Sequence, residues 1–155
     1  MTLLLLRHVH AGERDRWAGD DRLRPVSDRG RLQAKGLIEA YAGHDITRIL
    51  TSPYARCVQS VEPLAETRGL DVEEEDALAE GTPLDVVHRL LARVADATAV
   101  LCSHGDVIGS VVHDLYTRGV DLGRRDQLRW QKGSTWVLDG DPRSPHTARY
   151  LPPPA

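Results

Sequence analysis

Leu3-Leu4-Leu5-Leu6-Arg7-His8 decides how this chain is read, together with its counterpart Val100-Leu101-Cys102-Ser103-His104-Gly105. Each is a short apolar run that closes on a histidine. A continuous apolar run of this length reads as a strand buried on both faces, the pattern of a parallel sheet covered by helices. Open α/β folds place their ligands outside the carboxyl ends of such strands, so both histidines are delivered to the binding edge.

Outward from these runs the chain alternates strand and helix. The first strand is about Thr2 to Arg7, and a polar stretch from His10 to Arg24, with Gly12 and Gly19, forms a long loop of the kind that binds or covers ligands. Ser27 is an N-cap, and Ala34, Leu37, Ile38 and Tyr41 repeat at the spacing of one buried helix face, with Gly43 at the stop. Ile46 to Thr51 is a second strand. Ser52-Pro53 and Thr82-Pro83 each open a helix as cap and first residue. Pro63 is expected to kink or divide the first of these, and Gly69 to end it. Leu70 to Glu75 is a short edge strand. Leu84, Val87, Leu91 and Val94 face inward on the helix after Thr82. Thr98 to Ser103 is a central strand, followed by a helix marked by Ile108, Val111, Val112 and Leu115 and stopped by Gly119. Arg124 to Gly133 is irregular, Thr135 to Leu138 and Ala148 to Leu151 pair as an antiparallel ribbon, and Pro152-Pro153-Pro154 frays. The expected fold is a three-layer α/β/α sandwich on a mostly parallel central sheet.

The 155 residues suit a single domain spanning 1–155, with a formal net charge of −3. That charge gives no reason to expect a nucleic-acid polymer or a membrane as partner, and no apolar run has signal-peptide or membrane-spanning length. Eighteen arginines stand against two lysines, Lys35 and Lys132. Codon bias explains that excess, while an anion-handling surface is the functional alternative, because the guanidinium fork matches phosphate and carboxylate. Cys57 and Cys102 fall in a helix and a buried strand, which points to reduced thiols and a cytoplasmic protein.

The chemistry follows from what meets at the sheet edge. A single histidine is ordinarily a structural residue. Here His8 follows Arg7 at a strand end, and His104 repeats the placement. A neutral imidazole attacks phosphorus directly to give a phosphohistidine, which water then hydrolyses. Such a transfer needs fixed positive charge around the phosphoryl oxygens. Arg7 and Arg56 supply forked donors, a protonated His104 supplies another, and the helix near Pro53 directs its positive end to the same edge. Glu80, in the loop before Thr82, is the candidate general acid. Asp106 is the rival, and reads better as a helix N-terminal carboxylate that orients the loop.

Arg7-His8, Ser52-Pro53-x-x-Arg56-x-x-Gln59-Ser60 and Ser103-His104-Gly105 resemble the three motifs of the histidine phosphatase superfamily, the phosphoglycerate-mutase-like fold, over Leu3 to about Leu115. The resemblance implies a phosphohydrolase without metal or cofactor, with His8 as nucleophile and Arg7, Arg56 and His104 as the phosphate pocket. Asp21-x-x-Arg24-Pro25-Val26-Ser27-x-x-Gly30-x-x-Gln33-Ala34 and Glu80-Gly81-Thr82-Pro83 are similar to the SixA-type phosphohistidine phosphatases. Trp17-x-Gly19-Asp20-Asp21-Arg22-Leu23-Arg24-Pro25 and Lys132-Gly133-Ser134-Thr135-Trp136-Val137-Leu138 resemble the phosphatase domain fused behind some Nudix hydrolases, here without a Nudix half. Val9 stands where the family has glycine, and Cys57 and Ser60 where it has Ala and Thr. The extra helical insertion of the mutases is missing. That argues against a mutase and leaves the pocket open to a phosphoprotein, a nucleotide or a small phosphomonoester.

Among the remaining residues His10, Trp17, Arg24, Ser52 and Gly105 are candidate substrate contacts. Trp130 and Trp136 read as packing residues, and Lys132-Gly133-Ser134 as a solvated turn, with reach to a distal phosphate as the alternative. Two other classes fit the same residues. One is a metallophosphoesterase using His8-x-His10 and His104-x-Asp106. The other is a phosphate-binding module without turnover.

Overall fold

The computed structural model describes residues 1–155. Six strands form one sheet: β1 (Thr2–Arg7), β2 (Arg48–Thr51), β3 (Val72–Glu74), β4 (Ala99–Ser103), β5 (Thr135–Asp141) and β6 (Ser144–Leu151). Four helices cover it: α1 (Asp28–Ala40), α2 (Ala55–Arg68), α3 (Leu84–Arg93) and α4 (Gly105–Thr117). The order across the sheet is β3-β2-β4-β1-β5-β6. β1, β2, β3 and β4 pair in parallel, while β5 runs antiparallel to both β1 and β6. This is the mostly parallel α/β sandwich expected of the phosphoglycerate-mutase-like fold.

The leucine run explains the layers. Successive side chains of a strand point to opposite faces. Leu3 and Leu5 enter one apolar cluster with Val87, Leu90 and Val111 from α3 and α4. Leu4 and Leu6 enter a second with Ala34, Leu37, Val61 and Leu64 from α1 and α2. All four leucines are buried, each contributing roughly 1.5–3 kcal/mol of transfer free energy. β1 is therefore clamped between two cores, and its carboxyl end is fixed relative to β4. Their register pairs Leu6 with Cys102 and Arg7 with Ser103, which sets His8 beside His104.

Several local expectations change. Neither Ser-Pro nor Thr-Pro pair caps its helix: α2 has Tyr54 and α3 has Pro83 at the N-cap position. The Ser52 hydroxyl lies against His104, and that of Thr82 donates to the Ala79 carbonyl at 2.7 Å. Pro63 does not divide α2, which continues to a left-handed Gly69. The carbonyl that Pro63 leaves without an N–H belongs to Gln59, and both residues lie on a partly exposed flank of the helix. The β5–β6 ribbon forms as expected, and β5 also joins the main sheet through β1. Pro153 and Pro154 are half-buried, Pro154 against Gly36 of α1 and Pro153 against Gly133. Ser27 caps α1 as expected, accepting from the Gly30 N–H at 3.0 Å.

Candidate active site

The carboxyl edge of β1 and β4 opens into a cavity of about 570 Å³ lined mainly by Arg7, His8, Arg24, Glu80, His104 and Lys132. His8 is 4% exposed, and its Nδ1–H donates to the Val9 carbonyl at 2.8 Å. The carbonyl can only accept, so this bond places the proton on Nδ1 and leaves the lone pair on Nε2. The backbone beneath it is equally constrained. The His8 N–H donates to the Ser103 carbonyl and the His8 carbonyl accepts from Gly133 N–H, both at 3.0 Å. The Val9 N–H donates to Ser60 Oγ at 3.0 Å, so the serine found in place of threonine still supplies that acceptor. Burial, above all, pushes the His8 imidazolium well below the usual histidine range, and the charges of His104, Arg56 and Arg7 push the same way against the Val9 carbonyl.

His104 is 2% exposed and caps α4. Its ring stands edge-on to that of His8 with centroids 5.5 Å apart. Nε2 lies 2.9 Å from Ser52 Oγ and 3.6 Å from Cys57 Sγ, and Nδ1 lies 3.5 Å from Arg56 Nη2. The guanidinium can only donate, so Nδ1 carries the lone pair there and Nε2–H donates to Ser52. Tyr54 closes the other side at 4.6 Å between ring centroids. Ser52, expected to touch substrate, does not line the cavity; it is fully buried and holds the His104 ring instead.

The two arginines differ. Arg7 donates through Nη1 to the Trp130 carbonyl at 2.9 Å, and its guanidinium lies flat on Gly105. A Cβ at Gly105 would stand 2.7 Å from the guanidinium carbon, so the glycine is what admits Arg7. Arg56 is fully buried behind the cavity wall. It donates to the Asp21 carbonyl at 2.8 Å and to Asp21 Oδ2 at 3.0 Å, and its Nη2 is 3.8 Å from Glu80 Oε2. The Nε atoms of Arg7 and Arg56 are both buried without a protein partner. Such donors cost about 1–3 kcal/mol each unless an acceptor arrives.

The His10 to Arg24 loop wraps this cluster. Asp21 bridges Arg56 to Arg24, accepting from Arg24 Nε at 3.0 Å, and Arg24 Nη1 donates to the Ala11 carbonyl at 2.7 Å. Arg14 pairs with Glu80 at 2.5 Å, which ties the loop to the candidate acid. Asp106 accepts from the Gly81 N–H at 2.8 Å, so it orients the Glu80 loop as the sequence suggested. α4 begins at Gly105, on the cavity wall, and its positive end serves the site more directly than that of α2. His10 and Trp17 lie outside the main cavity. His10 Nδ1 meets Ser27 Oγ at 2.6 Å, and Trp17, 38% exposed, donates to the Asp20 carbonyl from a neighbouring groove. Trp130 lines the cavity as well as packing on Gly109.

Asp21 was legible only as a motif position. Its ion pair with Arg56 spans 35 residues and leaves no local pattern.

Known proteins are similar to this chain in sequence and in fold. The sequence pattern of the histidine phosphatase superfamily (branch 1) matches residues 3–82. The chain is 33% identical to an 8-oxo-(d)GTP phosphatase of Mycolicibacterium smegmatis over 99% of its own length, and it spans 48% of that relative. Its fold is similar to that of the protein histidine phosphatase SixA bound to tungstate, with a TM-score of 0.77 at 18% identity over 100% of this chain and 97% of that one. A mycobacterial glucosyl-3-phosphoglycerate phosphatase complexed with VO3 gives 0.67 at 19% identity, over 97% and 96% of the two chains.

Proposed function

The chain belongs to the histidine phosphatase superfamily, branch 1, and from that premise we propose that it transfers a phosphoryl group to His8 and then to water. The observation that carries this reading is the fixed tautomer of His8. With Nδ1–H held by the Val9 carbonyl, Nε2 presents a lone pair at the cavity, and burial keeps the ring neutral.

In the first displacement Nε2 attacks phosphorus and the P–O bond to the leaving group breaks. Arg7 and His104 face the equatorial oxygens from the cavity wall, the unpartnered Nε–H of Arg7 gains an acceptor, and Arg56 adds its charge from behind the wall, beside His104. His104 contributes through Nδ1 when protonated, its Nε2–H held by Ser52. Glu80 protonates the leaving oxygen, and Arg14 holds its carboxyl in place. In the second displacement Glu80 takes a proton from water, whose oxygen attacks phosphorus and releases His8. Arg24 and Gly105 complete the wall that the substrate meets.

No three His, Cys, Asp or Glu side chains cluster in a metal-ligand arrangement, and this route uses none. Of the substrate classes that the open cavity admits, a nucleoside phosphate draws support from the 8-oxo-(d)GTP phosphatase relative. Phosphohistidine on another protein is the second reading, from the SixA-like motif around Asp21 to Ala34.

The test is phosphate release by wild type and His8→Ala, with chelator, on an aryl phosphate, nucleotides, a phosphohistidine protein and sugar phosphates. Release that disappears in the variant, with acid-labile phosphate trapped only on the wild type, is the expected result. Near-normal turnover by the variant refutes the mechanism, and silence from folded wild type turns the reading to a phosphate-binding module.

A further inference from the structure

Beside the main cavity lies a second one of about 350 Å³, lined by Arg7, His10, Arg29, Gln33, Gln131 and Lys132 together with Pro153. It shares Arg7 and Lys132 with the main cavity, so the two adjoin through those side chains. Its lining contains no carboxylate. Arg7, Arg29 and Lys132 have no acidic partner within 4.0 Å, although most arginines around the loop are paired. Gln33 is 4% exposed, and its Oε1 accepts from the His10 N–H at 2.9 Å. Its amide N–H₂ makes no protein hydrogen bond and is free to donate into the cavity that Gln33 lines.

The turn Lys132-Gly133-Ser134 is part of the same construction. Gly133 N–H donates to the carbonyls of Arg7 and His8 at 3.0 Å, and the Arg7 N–H donates to the Ser134 carbonyl at 3.0 Å. The turn is thus bolted to the nucleophile's backbone and half-buries Lys132, in place of the solvated turn expected. Burial, then repulsion from Arg7, lowers the Lys132 ammonium, and burial, then repulsion from Lys132 and Arg29, lowers His10. Cations crowd here, and the Glu13 and Asp106 carboxylates oppose them from beyond ion-pair distance.

We infer that this second cavity is a subsite for a second phosphoryl group, adjacent in the substrate to the one His8 receives. Arg29, Lys132 and the Gln33 amide bind that distal group, and Arg7 bridges it to the transferred one. The substrate class is then a phosphoanhydride or closely spaced bisphosphate. This inference rests on the proposed phosphatase reading of the main cavity.

The experiment uses two inhibitors of aryl phosphate hydrolysis, inorganic phosphate and methylenediphosphonate, which carries two phosphoryl-like groups and does not hydrolyse. Wild type is expected to bind the diphosphonate at least roughly tenfold more tightly than phosphate, as one added charge-assisted contact set provides. Arg29→Gln, an exposed substitution on α1 that touches only the second cavity, is expected to remove most of that advantage. Its phosphate inhibition and aryl phosphate kcat/KM should stay unchanged. Equal inhibition by both anions in wild type, or an Arg29→Gln enzyme with full diphosphonate preference, overturns the subsite. Calorimetric binding of the same two anions repeats the comparison without turnover. A diphosphonate preference that depends on Arg29 in a protein hydrolysing nothing would leave the subsite standing and sink the phosphatase reading alone.

Discussion

His8 and His104 end neighbouring parallel strands and are both almost fully buried, yet they are held in opposite ways. His8 is fixed by backbone alone, through the Val9 carbonyl, which settles its tautomer and leaves one nitrogen free. His104 is fixed by side chains, with Nε2 held by Ser52, Tyr54 against the ring, and Nδ1 facing Arg56 at 3.5 Å. A group that must attack needs one unencumbered lone pair. A group that must donate needs a polar neighbour to hold its ring. The sheet gives the two histidines equivalent positions, and the neighbours make them different.

The strongest way to break this comparison is to remove each ring in turn. His8→Ala should abolish turnover, since deleting a nucleophile in a comparable covalent mechanism costs about 10⁶ in kcat. Single-turnover assays with acid-labile phosphate trapping would check it. His104→Ala should instead lose roughly 10²–10³, the usual effect of deleting one donor to a developing charge, and it should still form the phosphoenzyme. Equal losses in the two variants would mean that the distinction drawn here is wrong.

Ser52→Ala sharpens the comparison from one side only. It leaves every cavity wall in place and frees the His104 ring, so about a fivefold to tenfold fall in kcat is expected, the equivalent of one hydrogen bond. Ser52→Thr should restore much of it, and KM for an aryl phosphate should hardly move. A Ser52→Ala enzyme with a raised KM and normal kcat would return Ser52 to the substrate-contact role read from the sequence.

The smallest effect is on stability. His8 has a folded pKa below its unfolded value of about 6.5. The folded state therefore binds fewer protons than the unfolded one as pH falls. The contribution is fully present above about pH 6.5 and is lost as pH drops from there through the depressed folded value. Thermal melts between about pH 5 and 8 should show Tm falling on the acid side, and His8→Ala should flatten that slope. An unchanged slope in the variant would place the acid sensitivity elsewhere.

Much of this was legible from sequence where a single pattern had a single cause. β1 was read residue for residue and β4 to within one, because only burial on both faces explains uninterrupted apolar runs. Apolar spacing marks three of the four helices, and the Ser52-Pro53 pair and Gly69 mark α2. The start of α1 at Ser27 matches, but those of α2 and α3 do not, because the hydroxyls of Ser52 and Thr82 look like caps and are used for His104 and for a loop carbonyl. Pro63 leaves α2 intact, since a helix tolerates the loss where the freed carbonyl stays near water. The pairing of β5 with β1 was missed because antiparallel partners separated by more than a hundred residues leave no mark in either strand. In the site the motif-bearing residues were found. Asp21 on Arg56, Arg14 on Glu80 and Gly133 beneath His8 were not, because each joins segments that only the finished fold brings together.

The strand order has a last consequence, for how copies of the protein meet. The sheet ends on β3, three residues long with Glu73 paired to Arg48, and on β6, which carries Pro145 and the exposed charge of Arg149. Beyond Leu151 three prolines in succession offer no N–H. An approaching strand from another copy thus meets a ladder too short at one side and interrupted at the other. The most hydrophobic strand of the chain is sealed at the centre, where only unfolding can expose it. Short, charged and proline-marked margins of this kind oppose edge-to-edge aggregation.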